Sequence, residues 1–178
     1  MMKGIEEAIV LTPRDKIYSN IVKSPGLHFR EIQRRTLIAT GALQYHIEYL
    51  KKKSLIREEK EGKFSRFYAL SSQVKDSKLM NLLRQDSVRK IVLFLMDRRK
   101  ANLHSVSDGV SLGLSTTSFH LQKLVLSGVV LEKQLKGKVF FSIKDKESVL
   151  IMLLEYRESF LDVLVDNFID TWEKEFKP

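Results

Sequence analysis

The feature that most constrains this chain is a pattern written twice, about 74 residues apart. Tyr45-His46-Ile47, followed by Leu50, Leu55 and Ile56, returns as Phe119-His120-Leu121, followed by Leu124, Val129 and Val130. Upstream, Lys16-Ile17 matches Lys90-Ile91 and Leu27-His28 matches Leu103-His104. Downstream, Gly62-Lys63 and Phe67-Tyr68-Ala69-Leu70 match Gly137-Lys138 and Phe140-Phe141-Ser142-Ile143. The offset drifts between 73 and 76, which places the changes in length in loops between the matched segments. A long period seen twice predicts two copies of one small domain, because a solenoid needs at least three shorter units to bury its core.

Each copy has a readable order of elements. In the first, Thr12-Pro13 suits a helix start, with Thr as N-cap and Pro at the first helical position. Ile17 and Ile21 give that helix an apolar stripe, and Pro25-Gly26 stops it. A short extended segment over Leu27-His28-Phe29 leads to a second helix from Phe29 to Thr36, with Ile32 inward and Arg30, Arg34 and Arg35 outward. A third helix covers Gly41 to Lys53, where Leu43, Ile47 and Leu50 fall on one face. Leu55–Lys60 and Phe64–Leu70 then predict a strand pair turning at Glu61-Gly62-Lys63. The second copy predicts helices over Asp86–Asp97, Ser105–Val110 and Ser115–Leu126 and a hairpin over Val129–Ile143. Three helices and a basic-tipped hairpin make a winged helix-turn-helix. The fold class expected is therefore mainly α with small β-hairpins: two tandem winged helix-turn-helix domains plus a C-terminal amphipathic helix. The boundaries are 1–72 for the first domain, 73–85 for a linker or helix, 86–145 for the second domain and 146–178 for the C-terminal helix.

Charge follows the same division. Residues 12–72 hold 13 Lys/Arg against 6 Asp/Glu, residues 86–145 hold 10 against 5, and residues 146–178 hold 4 against 8. Two basic units and an acidic end suggest a polyanion partner for the repeats and a different role for the end. The chain has no Cys, so thiolate metal sites and thiol switches are excluded. No stretch approaches the ~20 apolar residues of a membrane helix, no signal peptide is recognisable, and a cytoplasmic protein is expected.

The segments SPGLHFREIQRRT (Ser24–Thr36) and ATGALQYHIEYLKKKSLI (Ala39–Ile56) resemble archaeal ArsR-like winged helix-turn-helix transcriptional regulators, several of which carry two such domains in one chain. The resemblance spans roughly residues 12–145. It implies that the helix containing Ala42-Leu43-Gln44-Tyr45-His46 is a DNA-recognition helix and that the Gly62-Lys63 hairpin is its wing. It also implies that a terminal helix joins two copies. The absence of Cys separates the chain from thiolate metal sensors.

Helix geometry nominates the residues that face DNA. Gly41, Tyr45, Glu48, Tyr49 and Lys52 lie opposite the apolar stripe, flanked by Ala42 and Gln44. Gln44 suits an adenine edge and Ala42 a thymine methyl. Tyr45 can reach a phosphate or stack at a groove edge, and Tyr49 is counted with it among the residues facing DNA. Arg34, Arg35, Lys51, Lys52 and Lys53 suit phosphates, as do Lys60, Lys63 and Arg66 on the wing; such contacts position without reading sequence. In the second copy Thr116, Ser118, Lys123 and Lys138 take the same roles, but Phe119 and Leu126 put large apolar groups on the outward face. The first domain is therefore expected to supply most of the affinity.

His46, His120, His28 and His104 are expected to be structural, with one nitrogen of His46 and of His120 hydrogen-bonded. No catalytic constellation, cofactor motif or metal site is present, so the chain is not expected to be an enzyme. In the C-terminal helix Leu150, Leu154, Leu161, Leu164, Phe168 and Trp172 form a stripe for homodimerisation, the competing reading being a helix folded back on its own domains. The function expected is a sequence-specific regulator bound to double-stranded DNA, with no effector pocket visible. The alternatives are a winged-helix protein-interaction module and a nonspecific DNA coater.

Overall fold

A computed structural model describes residues 11–61, 64–71, 76–160, 165 and 167–171. It is mixed α/β, mostly helical with small antiparallel sheets, and divides into two compact units, 1–73 and 74–178.

The first unit begins with α1 (Pro13–Lys23). Thr12 caps it through a reciprocal box: Thr12 Oγ1 accepts from the Asp15 amide and the Asp15 carboxylate accepts from the Thr12 amide at 3.0 Å. The chain leaves through Gly26 at φ +78 into β1 (Leu27–His28). His28 then caps α2 (Phe29–Thr36), its Nδ1 accepting from the Glu31 amide at 3.3 Å while the Glu31 carboxylate accepts from the His28 amide. Leu37, at φ 57, turns the chain into α3 (Thr40–Lys52). β2 (Ile56–Glu61) and β3 (Phe64–Ala69) close the unit, with β3 between β1 and β2 and Leu27 opposite Phe67. Ile17, Ile21, Leu27, Ile32, Leu43, Ile47, Leu50, Ile56 and Phe67 form one buried core. Each such side chain contributes about 1.5–3 kcal/mol on burial, so this cluster rather than helix propensity fixes how the elements face.

The second unit opens with α4 (Ser77–Leu83), capped by Asp76. The segment read as a linker or helix is helical from Ser77, and Leu79, Met80, Leu82 and Leu83 of this helix are buried in a core. α5 (Asp86–Asp97), α6 (Leu103–Val110), α7 (Leu114–Leu126), β4 (Val130–Leu135) and β5 (Lys138–Ile143) then repeat the element order of the first unit. Lys136 and Gly137, both at positive φ, form the two-residue connection that suits a twisted hairpin. The C-terminal segment is broken: α8 (Lys146–Glu155) stops at Tyr156 before α9 (Arg157–Phe160), and residues 165 and 167–171 are also helical.

A single offset of 74 relates the elements of the first unit from α2 to β3 to those of the second from α6 to β5. It carries His28 onto Asn102, both helix N-caps, and Leu27 onto Ala101, which pair with Phe67 and Phe141 respectively. It also carries Leu37 onto Ser111 and Ser54 onto Gly128, all at positive φ. The match of Leu27-His28 with Leu103-His104 is thus corrected: Leu103-His104 lies two residues further, inside α6, and His104 is exposed. At the same offset Phe64, which opens β3, corresponds to Lys138, which opens β5.

Candidate nucleic-acid interface

The core stripe Leu43, Ile47 and Leu50 fixes the roll of α3, and what remains is a broad outward face. Ala42, Gln44, Tyr45, Glu48 and Lys52 are exposed, Tyr45 at 63%. The Tyr45 ring meets the His46 ring edge-on at 5.4 Å. Tyr49 is half-buried and held by α1, whose Arg14 guanidinium lies 3.8 Å from its ring centroid.

Beside this face runs an open groove of about 1130 Å³ between α2, α3 and the β2–β3 hairpin. Arg30 and Arg34 line it from α2, Gln44 and Glu48 from α3, and Glu58 and Phe64 from the hairpin. Lys51 donates to both carboxylates, Glu48 at 3.0 Å and Glu58 more closely. The hydrogen bond to Glu58, then that to Glu48, raises the Lys51 pKa, and the Lys51 bond lowers that of Glu58. Both acids are therefore answered within the fold. Arg30 and Arg34, one turn apart and exposed, have no ion-pair partner among the described residues. The groove presents unanswered positive charge to solvent.

Several nominated residues are placed otherwise. Arg66 is only 8% exposed and donates to the Gly26 carbonyl at 2.9 Å, so it braces β3 against the α1–β1 turn instead of reaching from the wing. Arg35 is half-buried and donates to Ser24 Oγ at 2.8 Å. Lys51 is consumed by its two carboxylates, whereas Lys52 and Lys60 are exposed. Lys63 lies outside the described residues.

On α7, Thr116 and Ser118 are exposed, as is Lys138 on β5. Lys123 is not free: its ammonium donates to Gln85 Oε1 at 3.1 Å. Phe119 is 64% and Leu126 82% exposed. At the offset of 74, Arg30 and Arg34 become His104 and Asp108, so the second unit lacks the arginine pair. His46 and His120 sit at the edge of their cores, but Nδ1 of each is buried with no hydrogen-bond partner among the described residues. Burial, and then the Lys123 charge, lower the His120 pKa. Among the described residues no three His, Asp or Glu side chains are placed to hold a metal, and no helix is long and apolar enough to cross a membrane.

In the C-terminal segment the inward side of α8 is Val149, Met152 and Leu153, while Leu150 is half-buried and Leu154 exposed. Val165 and Ile169 are buried and Phe168 is half-buried; Leu161, Leu164 and Trp172 lie outside the described residues. Of the expected stripe, then, Leu150 and Phe168 are half-buried and Leu154 is exposed among the described residues.

The fold is that of a helix-turn-helix protein with antiparallel hairpins. Residues 12–78, from the cap of α1 to the start of α4, match a family model described as an N-terminal HTH domain. The chain is similar to an uncharacterized HTH-type transcriptional regulator of Methanocaldococcus jannaschii, 27% identical over 146 residues, which cover 82% of this chain and 36% of that relative. It spans about a third of the relative's length.

Proposed function

We propose that this chain is a sequence-specific, double-stranded-DNA-binding regulator of transcription of the archaeal ArsR-like type, with two tandem winged domains, acting in the cytoplasm as a homodimer. α3 lies in the major groove, where Gln44 and Ala42 meet base edges. Arg30, Arg34 and Lys52 hold phosphates on either side, and Lys60 and Lys63 on the wing follow the backbone. The observation that carries this reading is the pair of unanswered arginines beside the exposed face of α3. The printed name of the relative supports the same class. The first unit supplies most of the affinity, since its counterpart offers Asp108 at the place of Arg34 and ties Lys123 to Gln85. No catalytic role is assigned. Selection of bound sequences from a random duplex pool tests the proposal. A preferred site should exceed random duplex by roughly 10³-fold or more. Equal binding to every duplex would make the chain a coater, and no binding to duplex would leave a protein-docking module.

A further inference from the structure

The second unit carries two exposed faces of opposite chemistry. One is the outer side of the β4–β5 hairpin. Register pairs Leu131 with Ser142, Lys133 with Phe140 and Leu135 with Lys138, and residues directly opposite share a face. Alternation sets this side away from Val130, Phe141 and Ile143, which are buried. Leu131 and Leu135 remain exposed, and the Lys100 ammonium lies 5.2 Å from the Phe140 ring centroid. Leu131, Leu135 and Phe140 thus stand among Lys100, Lys133 and Lys138, and none of the hairpin residues on that side is a carboxylate. None of these lysines has an ion-pair partner among the described residues. On the matching side of the first unit Arg66 and Tyr68 are buried and, among the described residues, only Phe64, near the tip, is a large exposed apolar group.

The other face is the outward side of α8. Helical spacing puts Glu147, Leu150, Ile151, Leu154 and Glu155 on one side, opposite the buried Val149, Met152 and Leu153. Ile151 is 53% exposed, and both glutamates are exposed with no cation paired to them among the described residues.

We propose that two copies of this chain pair through these faces. The acidic, apolar side of α8 in one copy seats on the lysine-rimmed apolar hairpin side of the other, and a twofold axis repeats the contact. Hairpin against hairpin, or helix against helix, would oppose like charges, which disfavours those arrangements. The inference rests on the homodimer reading above and names its surfaces.

Sedimentation of the full chain over a range of concentrations tests it. The unmodified chain should be a dimer that weakens with salt. Lys133→Glu with Lys138→Glu should raise the dimer Kd at least about tenfold, or ~1.4 kcal/mol, and Glu147→Lys with Glu155→Lys should do the same. All four changes together should restore pairing, because the two faces have then exchanged sign. A dimer indifferent to either double reversal overturns these surfaces and leaves the homodimer standing, as does failure of the fourfold variant to recover. A monomer at every concentration, or an open-ended assembly, overturns both. DNA binding by the first unit is read separately, from the duplex selection.

Discussion

Changing Arg30, Arg34 and Lys52 to Gln removes three exposed cations from the first unit without touching Leu43, Ile47 or Leu50. If each holds one phosphate, the slope of log affinity against log salt falls by about 0.9 per contact, or about 2.7 in all. Between 50 and 200 mM salt, the unmodified chain should then lose about forty-fold more affinity than the variant. The control is Arg99→Gln, Lys136→Gln and Lys144→Gln, three exposed cations of the second unit that lie off the proposed pairing faces. It carries the same change in net charge, so any effect of overall charge cancels. Fluorescence anisotropy with one labelled duplex, titrated at four salt concentrations, gives both slopes. Equal slopes in the two variants would refute the assignment of phosphate contacts to the first unit. An unchanged slope in both would show that neither set of residues touches the duplex.

Leu43→Ala should destabilise the first unit by about 2–5 kcal/mol, since Leu43 is wholly buried in its core, as read by urea unfolding. His28→Ala should cost about 1 kcal/mol by removing the α2 cap, while His28→Asn, which copies Asn102, should keep it; thermal melts of the two would separate capping from ring packing. The depressed pKa of Glu58 means that its pairing with Lys51 stabilises the fold fully above the ordinary carboxylate value of 4.5 and is lost as pH falls through the lowered value. Glu58→Gln should therefore narrow the difference in urea midpoint between neutral and acid pH; an unchanged difference would exclude this pair as its source.

The helices were legible because their stripes are clean: α2 and α5 begin and end at the predicted residues, and Thr12-Pro13 marks α1. The repeat was legible too, but letter matching aligned His28 with His104, whereas the shared physical task, an acceptor at the N-cap, belongs to Asn102. Exposure of the α3 face followed from its period. The fate of individual cations did not, because Arg66 meets Gly26, 40 residues away in sequence, and Lys123 meets Gln85, 38 away. The Lys51–Glu48 pair had a local spacing of three that could have been read, but Glu58 joins it only once the hairpin folds back. The segment before α5 was legible only as linker or helix, because so short a helix as α4 gives little periodic signal.

Leu37 and Ser111 occupy the same left-handed position in the two units, and Leu37 is 89% exposed there. Neither residue is suited to that backbone, which glycine adopts at no steric cost. The bend in each helix pair therefore holds a small reserve of stability, separable from both packing and nucleic-acid contact. Glycine at one bend and not the other would shift one melting step alone, turning the two sites into independent handles for learning which half of the molecule opens first.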